Sequence, residues 1–255
     1  MYSFIFLGLI ISCFRLPDIL PNIIQGVLKD VNYTSSPLLP TSSHTRALES
    51  YTLLIYIHGL NGSPTHVAHH LSQLQENEKL KNNSILIYTP VIDKYVHGSI
   101  GEIVEQIHTG VAHLIKDAKE IIIIGNSMGG LVAKKMKDLY CPDAFAIYIA
   151  TPFYGTRFFE FVPSLLMTNY LLNVSNALEL YSDDFRMNSK PFSNDLCVAS
   201  KMDDRVIPFQ RALPPECTKT MLFQQDSHFT LQHTVIGMFV IGELSDIQQK
   251  KKTTN

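Results

Sequence analysis

The chain has 255 residues, 45% of them apolar and 17% charged, enough for one large domain or two small ones with a sizeable core. A net charge of -2, with Lys and Arg scattered, excludes the basic footprint of a nucleic-acid binder, and no nucleic-acid partner is expected. Cys13, Cys141, Cys197 and Cys217 show no CxxC spacing, which argues against a zinc or thioredoxin-like site. If the chain is exported, Cys197 and Cys217 are the pair to test for a disulfide; buried free thiols are the commoner outcome.

Taken in chain order, the first segment is MYSFIFLGLIISCFRLPD. Residues 2–14 are nearly all apolar, long enough for a signal-peptide core and too short for a comfortable membrane span. No Lys or Arg precedes the run, which weakens the export reading, while Ile10, Ile11, Ser12 and Cys13 loosely match the site at which bacterial lipoproteins are cleaved and lipidated. Two readings stay open: export or membrane-surface association through residues 1–14, or a structural element of a cytoplasmic protein. Residues 15–50, with prolines at 17, 21, 37 and 40, read as a lead-in outside the regular sheet. The organisation expected is 1–50 as apolar segment and lead-in, then 51–255 as the main domain.

From residue 51 short β-rich runs alternate with helical patterns, which implies a parallel sheet with crossover helices. YTLLIYI (51–57) reads as a strand, 66–80 as a helix, SILIYT (84–89) as a strand and IGEIVEQIHTGVAHLI (100–115) as a helix with apolar positions three and four apart. EIIIIG (120–125) does not alternate, so it reads as a strand buried on both faces. LVAKKMKDLY (131–140) follows as a helix and AFAIYIA (144–150) as a strand. Residues 152–194 then break the pattern with eight aromatics among short helical stretches. DLCVAS (195–200) and TMLFQQ (220–225) resume the strands, and a last helix spans about 230–243.

Ser127 lies in GNSMG (125–129), a GxSxG directly between a strand and a helix. A sharp strand-to-helix turn presents such a serine at the C-terminal edge of the sheet, where helix N-H groups face developing negative charge. A serine hydroxyl needs a general base, and the base needs an orienting acid. In a nucleophile-elbow arrangement these follow in the order Ser, Asp or Glu, His, and MDDRVIP (202–208) and DSHFTLQH (226–233) each follow a strand on that rim. Asp204, which begins DRVIP, is favoured as the acid over its neighbour Asp203, and Asp226 stands too close to the base in sequence. His228 is favoured as the base over His233, which falls a turn into the helix. The oxyanion donors expected are the N-H groups of Met128 and of Leu60 in the HGLNG loop (58–62), with His58 bracing that loop. His66, His69 and His70 have helical spacing but no HExxH glutamate and no acidic ligand near, so they read as a solvated helix face and no metal is expected.

HGLNG (58–62), GNSMGG (125–130), TPFYG (151–155), DRVIP (204–208) and SHFTL (227–231), in this order, resemble the α/β-hydrolase superfamily. The likeness is to its lipase-like and serine-esterase branches, and TPFYG looks like the TPxxG element of lipases and of GPI inositol-deacylase-like proteins. Asn126 stands where many members have His. The resemblance implies an α/β fold, a mostly parallel central sheet with helices on both faces, and a small helical cap at about 152–194. It also implies a carboxylic ester hydrolase acting through Ser127, His228 and Asp204 without a cofactor, on a small-molecule or lipid ester. Phe153, Tyr154, Phe158 and Phe159 of the insertion are expected to contact an apolar acyl chain, with sheet covering as the alternative. An acyltransferase or thioesterase would use the same triad, and a non-catalytic binding protein of the same fold is the reading from another class.

Overall fold

The computed structural model describes residues 51–60, 62–76, 85–90, 92, 99–161 and 169–240. The expectations for residues 1–50, among them cleavage, lipidation or anchoring through 1–14, lie outside the described residues. Six strands form one parallel sheet in the order β2-β1-β3-β4-β5-β6. They are β1 (Tyr51–Ile57), β2 (Ile85–Tyr88), β3 (Ala118–Asn126), β4 (Phe145–Ile149), β5 (Asp195–Ser200) and β6 (Thr220–Phe223). The α-helices among the described residues are α1 (Ala68–Glu76), α2 (Ile100–Asp117), α3 (Met128–Tyr140), α4 (Asn169–Asn188) and α5 (His228–Val240). No helix among the described residues is long and apolar enough to cross a membrane.

The central strands lack polar alternation because both of their faces are covered. Leu53, Ile55, Ile57, Ile123, Ala146 and Tyr148 pack with Val104 and Ile107 of α2 and Leu131, Val132 and Met136 of α3. Leu54, Tyr56, Ile122, Ile124, Ile147 and Ile149 point to the other side, onto Leu71 of α1 and Leu231, Val235 and Ile236 of α5. Start signals agree with the helix bounds: Ser99 and Glu102 form a capping box at α2, with each side chain taking the other residue's backbone N-H.

The strand order reverses between β1 and β3. After β1 the chain steps outward to β2, then returns to the other side of β1 as β3 and continues to β6. In an open parallel sheet such a reversal opens a crevice at the strands' C-terminal ends, the usual place for a ligand. The loop after β1 and the turn after β3 border it.

The insertion after β4 contains a 20-residue helix, α4. Its buried aromatics cover the sheet: Phe153 lies 4.7 Å from Phe185 and 5.3 Å from Phe192, ring to ring, and Tyr148 of β4 stands edge-on to Phe153 at 5.4 Å. Phe153 has no exposed surface, which corrects its expected role as a substrate contact. Residue 153 is a core side chain because it fills the space between β4 and α4. Cys197 of β5 and Cys217 form a disulfide across 20 residues, and Cys141 is a buried free thiol.

Candidate active site

Ser127 sits between β3 and α3 with φ 53° and ψ -128°, a backbone conformation that non-glycine residues rarely adopt and that is held only by surrounding structure. Three contacts hold it. Its N-H donates to the carbonyl of Ile149 at the end of β4 (2.8 Å), and its carbonyl accepts from Gly130 N-H (2.9 Å). The third is steric: a Cβ added to Gly129 would collide with the carbonyls of Ile57 and His58, so only glycine lets α3 start this close to the end of β1.

The loop after β1 passes directly over the serine, since a Cβ on Gly59 would stand 2.8 Å from that of Ser127. His58 pins this loop. Its Nε2 accepts the N-H of Ile92 (3.2 Å), so Nδ1 carries the proton and donates to the carbonyl of Gly59 (2.8 Å). Burial, the main cause, lowers the His58 pKa below its ordinary value; the bond to the Gly59 carbonyl opposes that shift, and His66 adds a smaller lowering. Leu60 follows Gly59 in this loop, and Met128 follows Ser127 and opens α3.

His228 opens α5 and is buried. The acid facing it is Asp203: both carboxylate oxygens lie 3.0 Å from Nδ1 of His228. Asp204, the residue favoured from the DRVIP pattern, instead accepts the backbone N-H of His228 at 3.0 Å. The turn after β5 explains the exchange. Asp203 Oδ1 accepts the N-H groups of Arg205 and Val206, both at 2.8 Å, which folds its carboxylate inward over the turn. Asp204 stands at the next position and reaches the start of α5 from outside. With Nδ1 donating to a carboxylate, Nε2 of His228 is left as the unprotonated, proton-accepting nitrogen.

A contact not anticipated from the sequence ties the turn that carries Ser127 to the helix that carries His228. Asn126, the residue before Ser127, donates through Nδ2 to Oε1 of Gln232 (3.1 Å), one turn after His228 on α5. No hydrogen bond joins His228 to Ser127 Oγ among the described residues; such bonds often tighten only with substrate bound.

Of the other expected residues, Tyr154 is half-buried and donates to Glu216 (3.1 Å), and Phe158 and Phe159 are half-buried with ring centroids 5.2 Å apart. Met202 and Phe229, each adjacent to a member of the Asp203–His228 pair, are 54% and 46% exposed. His233 lies beside His70, ring centroids 5.5 Å apart, and Phe229 stacks edge-on with His66 and His233. Among the described residues no three His, Cys, Asp or Glu side chains are grouped to hold a metal. Asp226 accepts from Thr234 and takes no part in the pair.

A profile of the Uncharacterised protein family (UPF0227) matches residues 53–157, from β1 to the loop after β4. A comparison with curated protein sequences finds no match. Solved structures of similar fold include one from work on LipS and LipT, two metagenome-derived lipolytic enzymes, at 12% identity and TM-score 0.54, with 76% of this chain and 93% of that one covered. Another is the Bacillus licheniformis lipase BlEst2 in its mature form, at 13% identity, TM-score 0.53 and coverage of 80% and 94%. A third is MGS-MChE2, an alpha/beta hydrolase enzyme from the metagenome of lagoon sediments at Mar Chica, Morocco, at 16% identity, TM-score 0.51 and coverage of 79% and 92%. The chain therefore has the α/β-hydrolase fold, with Ser127 at its strand-to-helix turn and the Asp203–His228 pair at the same edge of the sheet.

Proposed function

We propose that the chain is a serine hydrolase that cleaves carboxylic esters with apolar acyl groups. The observation that carries the reading is the left-handed backbone of Ser127 at the strand-to-helix turn, on the rim that also bears the buried Asp203–His228 pair. In this reading Ser127 Oγ attacks the ester carbonyl while Nε2 of His228 takes the hydroxyl proton. The tetrahedral oxyanion is received by the N-H groups of Met128 and Leu60, aided by the N-terminal end of α3. The C–O bond to the leaving group breaks, His228 returns the proton to the alkoxide, and an acyl-serine remains. Water then attacks the acyl carbon, giving its proton to His228; the bond from that carbon to Ser127 Oγ breaks, His228 passes the proton to Oγ, and the free acid leaves. Asp203 keeps Nδ1 protonated and stabilises the imidazolium throughout.

Ester chemistry also agrees with the fold relatives, which include a lipase. The preference for an apolar acyl group is supported by Met202 and Phe229, exposed beside the pair, and by the half-buried Phe158 and Phe159. Large apolar side chains on a functional rim commonly contact ligand. The test is covalent labelling by a fluorophosphonate together with hydrolysis of nitrophenyl esters from acetate to palmitate. Labelling that disappears in Ser127→Ala, and kcat/KM that rises with acyl length, are expected. An active Ser127→Ala enzyme would eliminate the mechanism, and a flat chain-length profile would eliminate the apolar preference.

A further inference from the structure

We propose that Gln232 is a positioning residue: its side-chain amide locks the helix that carries His228 to the two strand ends that carry Ser127 and the 58–62 loop. This rests on the Ser127–His228 reading above and adds to it the element that sets the distance between the two.

Gln232 lies in an apolar setting. Its helix neighbours Leu231, Val235 and Ile236 belong to the apolar cluster on that face of the sheet, with the helix against β4 and β5, and Gln232 itself is 4% exposed. An aliphatic residue would satisfy packing there, and a buried amide is unfavourable unless hydrogen-bonded. Both lone pairs of its Oε1 are used: Tyr56 Oη donates at 3.1 Å and Asn126 Nδ2 at 3.1 Å.

The two donors come from the two strands that border the crevice. Tyr56 is fully buried on β1, two residues before His58 and three before Gly59, the residue packed against Ser127. Burial raises the Tyr56 pKa, so its hydroxyl remains a donor through the range in which the enzyme would work. Asn126 ends β3 and immediately precedes Ser127, and its Oδ1 is buried without a hydrogen-bond partner among the described residues. The bond to Gln232 is therefore what orients this side chain. Since Gln232 follows His228 by one helical turn, a shift of α5 away from the sheet would carry the imidazole with it, and the amide resists that shift at its closest polar contact.

The test uses Gln232→Met, which keeps the volume and removes the acceptor, with the full-length protein and nitrophenyl acetate. A misplacement on the order of 1 Å lowers rate by up to about 100-fold, so kcat should fall at least about tenfold with KM changed by less than about threefold. The rate of fluorophosphonate labelling should fall in parallel. Asn126→Leu should lower kcat similarly, and the double variant should be no slower than the worse single one, because the bond lost in Asn126→Leu is one of the two already lost in Gln232→Met. A merely structural role predicts a lower Tm with wild-type kcat in the folded fraction, and that result overturns the proposal, as do independent, multiplicative effects in the double variant. Should Gln232→Met fail to fold, Tyr56→Phe is read in its place: a kcat drop of about threefold or more supports the lock, and an unchanged kcat overturns it. Wild-type protein that resists fluorophosphonate overturns the hydrolase reading and the lock with it, whereas normal wild-type labelling with an unaffected Gln232→Met overturns the lock alone.

Discussion

Both carboxylate oxygens of Asp203 stand 3.0 Å from Nδ1 of His228, while Asp204, its neighbour, holds the same residue by the backbone N-H. The two aspartates thus divide the work between the imidazole and the start of the helix that carries it. Asp203→Asn should lower kcat for nitrophenyl acetate about 10⁴-fold, because an amide that donates to Nδ1 forces the proton onto Nε2 and leaves no acceptor for Ser127. Asp204→Asn keeps an acceptor for the His228 N-H and should reduce kcat by less than about tenfold, with a stability loss of about 1 kcal/mol or less. Steady-state kinetics on the two variants separate the roles; equal losses, or the larger loss in Asp204→Asn, would return the orienting role to Asp204.

The choice between these two aspartates marks the limit of what periodicity and motif spacing can resolve. Strand and helix positions were legible because burial on both sheet faces imposes long apolar runs, and the GxSxG turn was legible because glycine is required where α3 meets the end of β1. Adjacent residues in an irregular turn have no period, so the side that each faces depends on the local bonds from Arg205 and Val206 to Asp203. The place of Phe153 is hidden for a related reason: an aromatic in an insertion has the same composition signature whether it lines a pocket or fills the gap beneath α4. Gln232 could have been noticed as a polar residue on the inward face of an apolar helix, four positions after His228, but its partners Tyr56 and Asn126 are 176 and 106 residues away.

Gly59 is a second site where one methyl group is decisive. In Gly59→Ala the new Cβ would meet Ser127 Cβ at 2.8 Å and the Asn126 carbonyl at 3.1 Å, both parts of a turn with little freedom to move. Overpacking of this kind costs about 1–3 kcal/mol. The displaced loop also carries Leu60, so kcat should fall by about 100-fold, the effect of losing one oxyanion donor. Chemical unfolding and kinetics on the same preparation check both, and an alanine variant with wild-type kcat would remove the 58–62 loop from the oxyanion site.

Acid should weaken the fold through its histidines. The pKa values of His58 and His233 are lowered by burial, and that of His233 also by His70 and His66. The unfolded chain, with histidines near pH 6.5, takes up protons first as pH falls. The stabilisation is therefore complete above about pH 6.5 and is lost as pH drops through the folded-state values. Tm should be lower at pH 5.5 than at pH 7.5. His58→Asn, which cannot titrate, should be less stable at pH 7.5 and show a shallower fall in Tm between the two. An equal slope in wild type and variant would mean that the His58 ring takes up its proton at the same pH in the folded and the unfolded protein.

Charges at the opposite end of β5 should govern stability without touching the chemistry. Lys137 near the C-terminus of α3 lies 2.6 Å from Asp195, the first residue of β5, with 2% and 1% of the two side chains exposed. Asp195 also accepts the Ser193 N-H (2.8 Å) and the Tyr148 hydroxyl (3.3 Å), and Lys137 also donates to the Ser193 carbonyl. Lys137→Met leaves the carboxylate buried without its cation and should destabilise the protein by about 3–5 kcal/mol. Replacing both, as Lys137→Met with Asp195→Leu, removes the uncompensated charge, yet leaves the Ser193 N-H and the Tyr148 hydroxyl without that acceptor. Recovery should therefore be partial, with stability between the single variant and wild type. Because the pair sits at the N-terminal end of β5 and Asp203 follows its C-terminal end, kcat per folded molecule should stay within about twofold of wild type, as expected for sites without shared partners. Urea midpoints and active-site titration measure the two quantities separately, and a large loss of kcat in folded Lys137→Met would show that the two ends of the strand are coupled.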